Sequence, residues 1–291
     1  MHFLVIKTDN SSHSTPNYYW VQEVNHYDDI GVDPLATSHM RFVESINNGF
    51  IFPKFTVVLE YCCCDLSKFL INRVPYQAAH YKSIIQQILV GLEHIHRIVI
   101  LGFIHRDLKL QNVLIGRGGC VKIADFGLSR LRNPFGNHTP HIGTKRYKPP
   151  EVLLELGRYD ETFDIFNAGI ILSELCLRTN LFVGRTGRHV ARSMVEMLGK
   201  IDNRSLPGSQ RSHVYKYLFE GVRIESPLFK ERMLQVGASM ETINFATRLL
   251  AINPRNRPKA SEALNDQYFV NYPHPDGDIL PLLPRRLRFR D

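Results

Sequence analysis

The stretch FIHRDLKLQNVLI at 103–115 places Asp107, Lys109 and Asn112 close together between two short apolar runs. Transfer of a phosphoryl group needs a carboxylate to orient the attacking hydroxyl, a cation beside the transferring oxygens and oxygen ligands for magnesium. Asp107 can supply the carboxylate, Lys109 the cation and Asn112 one of the oxygen ligands. The stretch therefore predicts a catalytic loop for phosphoryl transfer.

A second oxygen ligand for magnesium is available at Asp125, in the segment ADFG (124–127). Magnesium prefers carboxylate and amide oxygens to the sulfur and imidazole groups that the chain also contains. Taken singly, Asp and Asn are common turn residues. The combination of HRDLK (105–109), Asn112 and ADFG at this spacing instead indicates one catalytic unit.

These motifs resemble those of the eukaryotic protein kinases, and the resemblance runs in order from about residue 56 to residue 270. Lys109 after HRDL is the serine/threonine-type residue. KPPE (148–151) resembles the family's APE motif, and Arg257 in NPRNRP (253–258) is the expected salt-bridge partner of Glu151. FDIFNAGIILSEL (163–175) resembles the central helix whose aspartate, here Asp164, braces the catalytic loop. The resemblance implies a serine/threonine kinase that uses ATP and Mg²⁺ on a protein substrate.

Within that family, TVVLEYCCCDL (56–66) aligns without gaps to the hinge of the cyclin-dependent kinases. LFVG (181–184) followed by MVEMLG (194–199) resembles the insert of the same group. The HIGT segment (141–144) is similar to that of a fungal cyclin-dependent-kinase-activating kinase, a class with degenerate N-lobes. The resemblance implies a role in cell-cycle control or in activating cyclin-dependent kinases. The positions that would contact the nucleotide are Leu59, Glu60, Cys62, Asp65 and Leu114.

The expected fold is α+β and bilobal, with a small, truncated, strand-rich N-lobe and a larger, mainly helical C-lobe. Apolar residues at three- and four-residue steps predict a helix from Tyr76 to Arg97, and residues 162–176 predict a second. The glycines in 113–127 predict a hairpin. The expected divisions are a degenerate N-lobe at 1–58, the hinge and C-lobe at 59–270, and a Pro/Arg-rich tail at 271–291 that is extended or disordered.

The N-lobe departs from the kinase pattern, because residues 1–56 contain only Gly31 and Gly49 and no GxGxxG can be written. Two alignments remain open. In the first, LVIK (4–7) is the VAIK motif and Lys7 binds the α- and β-phosphates. In the second, YYWVQEV (18–24) is the corresponding strand, and the lysine position is occupied by Gln22 or Glu23.

Counting back from the hinge favours the second alignment. There MRFVESINN (40–48) resembles the end of the helix that carries the family's ion-pair glutamate, which places His39 at that position. In this alignment both members of the family's lysine–glutamate ion pair are replaced. Replacing both members of a buried ion pair can leave the free energy of unfolding nearly unchanged, whereas replacing only one costs about 3–5 kcal/mol. Glu44 remains a possible substitute for the glutamate.

Two function classes follow from this mixture of intact and missing motifs. The first is an active kinase, indicated by the complete set Asp107, Lys109, Asn112 and Asp125. The second is a pseudokinase, a binding or scaffolding module that keeps the fold without the chemistry. The missing glycine loop and the doubtful lysine indicate that alternative.

Regulation and substrate choice are expected to depend on the activation segment. Thr139 lies twelve residues before Glu151, the spacing of the activating threonine in cyclin-dependent kinases. Arg106 and Arg130 are candidates to bind a phosphate there, because guanidinium groups bind phosphate oxygens bidentately. Gly143 and Lys148 replace the strained residue and the arginine that select proline after the acceptor in that group, so strict proline direction is not expected.

Composition limits the partners and the compartment. The net charge of +8 suggests an anionic partner, although no basic run interleaved with aromatic residues appears before the tail. Nucleic-acid binding by the tail is the weaker alternative to a solvated basic end; its arginines are Arg285, Arg286, Arg288 and Arg290. Five cysteines without paired spacing favour a reducing compartment, nucleus or cytoplasm. No apolar run is long enough for a membrane span. A cyclin-like partner remains an open question.

Overall fold

The computed structural model of the protein describes residues 3–6, 41–44, 55–60, 62–97, 102–132, 142–219, 221–222, 226–275 and 279–288. For the first three of these ranges only the backbone is described. None of the helices in the described ranges has the length and apolar character that a membrane crossing requires.

Three short antiparallel strands form the N-terminal sheet: β1 (Phe3–Ile6), β2 (Arg41–Glu44) and β3 (Phe55–Glu60). β3 is the central strand, with β1 on one side and β2 on the other. Its threonine and valines suit a strand, because β-branched side chains pack well on a pleated surface. The apolar run at 3–6 and most of the hinge stretch that begins at 56 are therefore strands, whereas the strand expected at 18–24 lies outside the described residues.

The interpretation of 40–48 as the end of a helix is wrong for Arg41–Glu44. This segment is β2, which pairs with β3 from Arg41 opposite Val58 to Glu44 opposite Phe55. Phe42 and Val43 favour a strand once the edge of β3 offers hydrogen-bond partners. The count that placed His39 at the ion-pair position therefore loses its basis.

The first alignment gains support from the same sheet. β1 ends at Ile6 and pairs directly with the hinge strand β3, with Phe3 opposite Glu60. Lys7 follows β1 immediately in the sequence. Lys7 itself, like Gln22, Glu23 and His39, lies outside the described residues, so its role stays a prediction.

The C-terminal part is mainly helical. Its short strands are β4 (Cys64–Asp65), β5 (Phe103–Ile104), β6 (Val113–Ile115), β7 (Val121–Ile123) and β8 (Arg130–Leu131). Its helices are α1 (Ser67–Ile71), α2 (Ala78–Arg97), α3 (Pro150–Leu153), α4 (Thr162–Leu177), α5 (Gly187–Leu198), α6 (Tyr215–Phe219), α7 (Phe229–Gln235), α8 (Met240–Leu249), α9 (Ala260–Leu264) and α10 (Gln267–Val270).

Helix α4 is the centre of this part. Every residue from Phe163 to Cys176 is buried, as expected for a helix that is apolar on all sides. Helices α2 and α8 pack against it. Gly169 permits the close approach of α8, because a Cβ atom there would lie 2.9 Å from the Leu249 side chain. The helix predicted at 162–176 is confirmed as Thr162–Leu177.

Helix α2 and two strand pairs position the catalytic loop. The helix predicted from Tyr76 to Arg97 is confirmed as Ala78–Arg97, and its apolar face, including Ile84 and Ile88, is fully buried. The predicted hairpin is confirmed as β6 and β7, and α2 packs against β7. β5 pairs with β8. The catalytic loop runs from β5 to β6, so both of its ends are held by strands.

Candidate active site

Asp164, near the start of α4, holds the catalytic loop from below. Its Oδ2 accepts the His105 backbone N–H at 2.8 Å, and its Oδ1 accepts that of Arg106 at 3.0 Å. His96 Nε2 lies 2.9 Å from Asp164 Oδ2. Burial alone would raise the pKa of Asp164, but the His96 hydrogen bond and the neighbouring backbone donors hold it below its usual value. Asp164 is therefore an ionised anchor for two consecutive peptide groups.

His105 links the catalytic loop to the segment that carries Asp125. Its Nε2 lies 3.0 Å from the Ala124 carbonyl oxygen, while the Asp107 backbone N–H donates to its Nδ1 at 3.3 Å. The Phe126 ring meets the imidazole edge-on at a centroid distance of 5.0 Å. Burial lowers the pKa of His105, so the neutral ring is favoured, with Nε2 as donor and Nδ1 as acceptor.

The Asp107 carboxylate is fixed by donors on both oxygens. Oδ1 accepts the backbone N–H of Thr144 at 3.0 Å and its hydroxyl at 2.7 Å. Oδ2 accepts Lys109 Nζ at 2.5 Å and Asn112 Nδ2 at 3.2 Å. Lys109 Nζ also lies 3.1 Å from the Thr144 hydroxyl. The structure thus brings Asp107, Lys109 and Asn112 together, as the spacing of 107–112 predicts.

Asn112 and Asp125 offer the oxygens that a magnesium ion would need. The Asn112 amide nitrogen also donates to the Asp107 carbonyl at 2.9 Å, which leaves the amide oxygen without a donor among the described residues. Asp125 is exposed, lies at φ 64° and receives only a long bond of 3.4 Å from the Gly127 N–H. Both oxygens are hard ligands, so the residues present fit Mg²⁺.

The hinge leads from β3 into β4 beside the β6–β7 hairpin. The Cys63 N–H donates to the Ile115 carbonyl at 2.9 Å. Asp65 and Leu114 are cross-strand partners in β4 and β6, so two of the predicted nucleotide contacts lie next to each other. One Asp65 oxygen accepts the Ser67 backbone N–H at 2.9 Å. The other predicted nucleotide contacts are placed at the end of β3 (Leu59, Glu60) and just after it (Cys62).

The two arginines predicted to bind a phosphorylated Thr139 are placed differently. Arg106 is buried, with Nε 2.7 Å from the Leu128 carbonyl and one terminal nitrogen 3.0 Å from the Tyr159 hydroxyl. Arg130 is exposed in β8, and its side chain makes no hydrogen bond or ion pair within the described ranges. Thr139 lies outside the described residues, so the regulatory role of this group stays a prediction.

The end of the activation segment is anchored beneath the catalytic loop. Glu151 and Arg257 form a buried bidentate ion pair, with both N–O distances at 2.7 Å, and this is the contact that the kinase resemblance implies. Gly143 has φ 79°, and a Cβ atom there would lie 2.7 Å from the Arg106 carbonyl oxygen. Only glycine fits this left-handed, close-packed position.

Several residues that support the site have no role in the sequence analysis. Thr144 clamps Asp107 from 37 positions away, and His96 supports Asp164. The Tyr147 hydroxyl donates to Glu174 at 2.5 Å, and desolvation raises the pKa of both groups. Thr144 could have been suspected from the sequence, because it ends the HIGT segment and lies only a few positions before the KPPE motif. His96 and Glu174 lie in α2 and α4. The sequence pattern of these helices indicates only which residues are apolar, so it does not single out either polar side chain.

Comparison with known proteins agrees with this geometry. The protein kinase domain family matches residues 13–269. Cyclin-dependent kinase 9-B of Xenopus laevis is 33% identical over 250 residues, which are 84% of this chain and 63% of that protein. The chain thus spans less than two-thirds of that relative's length.

Two solved structures share the fold over 94% of this chain, each at 25% sequence identity. One is the yeast RNA Pol II CTD kinase CTDK-1 complex, with a TM-score of 0.80 and 86% of the matched chain covered. The other is the CAK complex of Chaetomium thermophilum bound to ATP-gamma-S, with a TM-score of 0.78 and 83% covered. The bilobal α+β fold is therefore confirmed. From the matched motifs and these similarities, the chain belongs to the protein kinase family, which uses ATP and Mg²⁺, and within it to the cyclin-dependent-kinase-like serine/threonine kinases.

Proposed function

We propose that this protein is an active serine/threonine kinase that transfers the γ-phosphoryl group of ATP to a protein hydroxyl. The observation that carries the proposal is the clamped Asp107 carboxylate, with Lys109 and Asn112 on one oxygen and Thr144 on the other. A carboxylate so oriented, beside a cation and two hard oxygen ligands, suits phosphoryl transfer, which depends on positioning and electrostatics.

The hydrogen bonds of Asp107 suggest how it receives the substrate. An ionised carboxylate has about four acceptor sites, and Thr144, Lys109 and Asn112 supply four donors to it. Lys109 is the partner that can leave, because its ammonium group would also be attracted to the transferring phosphate. When Lys109 turns away, Oδ2 can accept the hydrogen bond of the substrate hydroxyl and orient it for attack.

Asn112 and Asp125 would hold Mg²⁺, which when bound neutralises charge on the β- and γ-phosphate oxygens. The backbone at Glu60 and Cys62 would contact adenine, with Leu59 and Leu114 beside it and Asp65 near the ribose. Lys7 would contact the α- and β-phosphates, a role supported by the pairing of β1 with the hinge strand.

A pseudokinase is the second candidate. The observation that favours it is the N-terminal sequence, in which only Gly31 and Gly49 occur before the hinge, so that no glycine-rich loop can be written. Loss of phosphate positioning slows transfer about tenfold for each 1.4 kcal/mol. The two candidates differ in one measurable quantity, the rate of phosphoryl transfer.

The test is incorporation of labelled phosphate into a generic protein substrate with ATP and Mg²⁺. We expect Asp107→Asn to lower the rate by about 10²–10⁴, the usual contribution of a positioned acid–base group. Asp125→Asn should abolish Mg²⁺-dependent transfer. Asp202→Asn makes the same chemical change at a surface turn and serves as the matched control. A wild-type rate equal to that of Asp107→Asn would favour the pseudokinase.

The substrate and partners are inferred from the similar proteins. The CAK complex supports the activation loop of a cyclin-dependent kinase as substrate, and the RNA Pol II CTD kinase complex supports the polymerase tail. A polymerase substrate would place the protein in the nucleus and associate it with transcription rather than with the cell cycle. Both similar structures are complexes, which supports a cyclin-like partner for this chain.

A further inference from the structure

A cavity of about 450 Å³ lies on the C-lobe, beside the Glu151–Arg257 ion pair, and neither Asp107 nor its hydrogen-bond partners line it. It is an open cavity lined by α3, the loop that joins α3 to α4, the segment at 206–207, the turn at 253–255 and Arg132 just after β8. Its lining includes three apolar residues, Leu156, Leu206 and Pro207, and three arginines, Arg132, Arg158 and Arg255.

Two of the three arginines have no acidic partner among the residues that the structure describes. Arg132 pairs with Glu161 at 3.1 Å. Arg158 and Arg255 are exposed, and within the described ranges their side chains make no hydrogen bond or ion pair. Guanidinium groups that line the same cavity carry like charges, and an anion bound in the cavity would offset their repulsion.

The acidic residues of the cavity are already engaged. Both oxygens of Glu151 accept bonds from Arg257 at 2.7 Å. Asp160 Oδ1 accepts the Thr162 N–H at 3.0 Å and the Thr162 hydroxyl at 2.5 Å, close to the start of α4. Only one Asp160 oxygen is therefore left without a hydrogen bond among the described residues, whereas two guanidinium groups there lack a partner. The lining thus carries an excess of positive charge, which favours an anionic ligand.

Tyr159 connects this cavity to the catalytic loop. It lines the cavity, and its hydroxyl lies 3.0 Å from a terminal nitrogen of Arg106, the residue next to Asp107. The cavity and the catalytic loop thus share a buried contact, and the proposal below takes the substrate chain to extend from Asp107 to the cavity.

We propose that this cavity binds a phosphorylated serine or threonine side chain of the protein substrate, at a position other than the acceptor. The proposal rests on the proposed kinase function. Arginine matches phosphate oxygens with planar, bidentate hydrogen bonds, and the unpaired Arg158 and Arg255 supply two such groups. The cavity is much larger than one phosphate group, so its apolar lining residues, Leu156, Leu206 and Pro207, can contact a neighbouring side chain of the substrate. The site would make this enzyme prefer substrates that are already phosphorylated.

The binding test uses labelled peptides that carry one phosphothreonine at varied distances from one acceptor serine. Their anisotropy is measured with the full chain, with Arg158→Glu/Arg255→Glu and with the control Arg232→Glu/Arg285→Glu. The control makes the same charge change at exposed arginines that do not line the cavity. We expect the cavity variant to lose about tenfold or more in affinity, because hydrogen bonds to a charged group are worth at least that factor. Equal thermal midpoints verify that both variants fold.

Two further arms separate the possible results. Inorganic phosphate should compete only weakly, because it makes no favourable contact with the apolar lining residues. Equal competition by free phosphate would overturn the substrate assignment. In kinase assays, KM for the phosphorylated peptide should rise in the cavity variant, while turnover of the unphosphorylated peptide stays unchanged. If the cavity and control variants bind the phosphopeptide equally, the proposal is wrong. An inactive wild type that still binds it selectively would instead contradict the kinase function.

Discussion

At the scale of single residues, the catalytic loop depends on buried groups whose charge state is set by their surroundings. His105 is fully enclosed between the Ala124 carbonyl and the Phe126 ring, and burial lowers its pKa. Asp164 is equally enclosed, and its hydrogen bonds keep its pKa low. Both groups therefore favour the folded state when His105 is neutral and Asp164 is ionised.

This arrangement predicts a pH dependence of stability. A histidine whose folded pKa is lowered contributes stability above its unfolded pKa of about 6.5, and that stability is lost as the pH falls below it. Asp164 adds a similar loss at lower pH. We expect the free energy of unfolding to fall between pH 7.5 and 5.5, and to fall less steeply in His105→Gln.

Urea unfolding at several pH values provides this measurement. The control is His274→Gln, which removes an exposed histidine and should leave the pH slope as in the wild type. Parallel curves for the wild type and His105→Gln would show that the buried imidazole does not carry the effect.

Gly143 concerns substrate choice at the residue scale. Its φ of 79° is the left-handed conformation, which would strain any other residue. Glycine can leave this conformation at little cost, and burial lowers the pKa of Lys148, the residue in place of the arginine. We therefore still expect relaxed proline selection, with Ser-Pro and Ser-Ala acceptors turned over within about tenfold, or ~1.4 kcal/mol. A peptide array with a strong preference for proline would contradict this.

At the scale of elements, one ion pair joins α3 to the turn that precedes α9. Arg257 donates to both Glu151 oxygens, and it also donates to the carbonyls of Ala251, Ile252 and Thr162. The pair is almost completely buried, with exposed side-chain fractions of 0% and 2%. It therefore fixes the end of the activation segment against the helices below it.

A double-mutant cycle tests this contact. We expect Glu151→Gln or Arg257→Leu alone to destabilise the protein by about 3–5 kcal/mol, because each leaves an uncompensated buried charge. The double variant should lose clearly less than the sum of the two. The matched control is the exposed pair Glu93–Arg97, whose cycle should give only about 0.3–0.5 kcal/mol. Additive losses at Glu151 and Arg257 would show that the two residues act independently.

At the scale of the whole molecule, the described part of the tail packs on the C-lobe. The tail is expected from its composition to be extended or disordered, and this is wrong for 279–288. Two short 3-10 turns form there, and Ile279 and Leu283 are buried against the core. Arg286 also donates to the Asn72 side chain at 2.8 Å, at the end of α1. The apolar residues between the prolines and arginines explain this packing.

The tail should therefore contribute to global stability. Ile279→Ala and Leu283→Ala are each expected to cost about 2–5 kcal/mol, as large-to-small changes in a core do. Arg285→Ala changes an exposed tail residue without a hydrogen bond in the described ranges and should cost less than about 0.5 kcal/mol. Chemical denaturation gives all three values, and losses near zero for Ile279 and Leu283 would contradict the packed tail.

The sequence by itself determined the family and the local elements of this protein, and it supplied the motifs on which the proposed chemistry depends. HRDLK, Asn112 and ADFG are short motifs that resemble those of the protein kinases. The apolar periodicity of α2 and the glycines between β6 and β7 are signals carried by neighbouring residues. Their placement required no knowledge of distant contacts. The assignment of Asp107, Lys109 and Asn112 to one cluster depended only on residues 107–112.

Only the tertiary structure decided which distant residues meet. Thr144 contacts Asp107 although 37 positions separate them in the sequence. Arg41–Glu44 forms a strand because it pairs with the edge of β3. Ile279 and Leu283 of the tail are buried. The cavity with Arg158 and Arg255 also draws its walls from separate segments. Contacts of this kind depend on how helices and loops pack in three dimensions, and packing leaves no regular period in the amino-acid sequence.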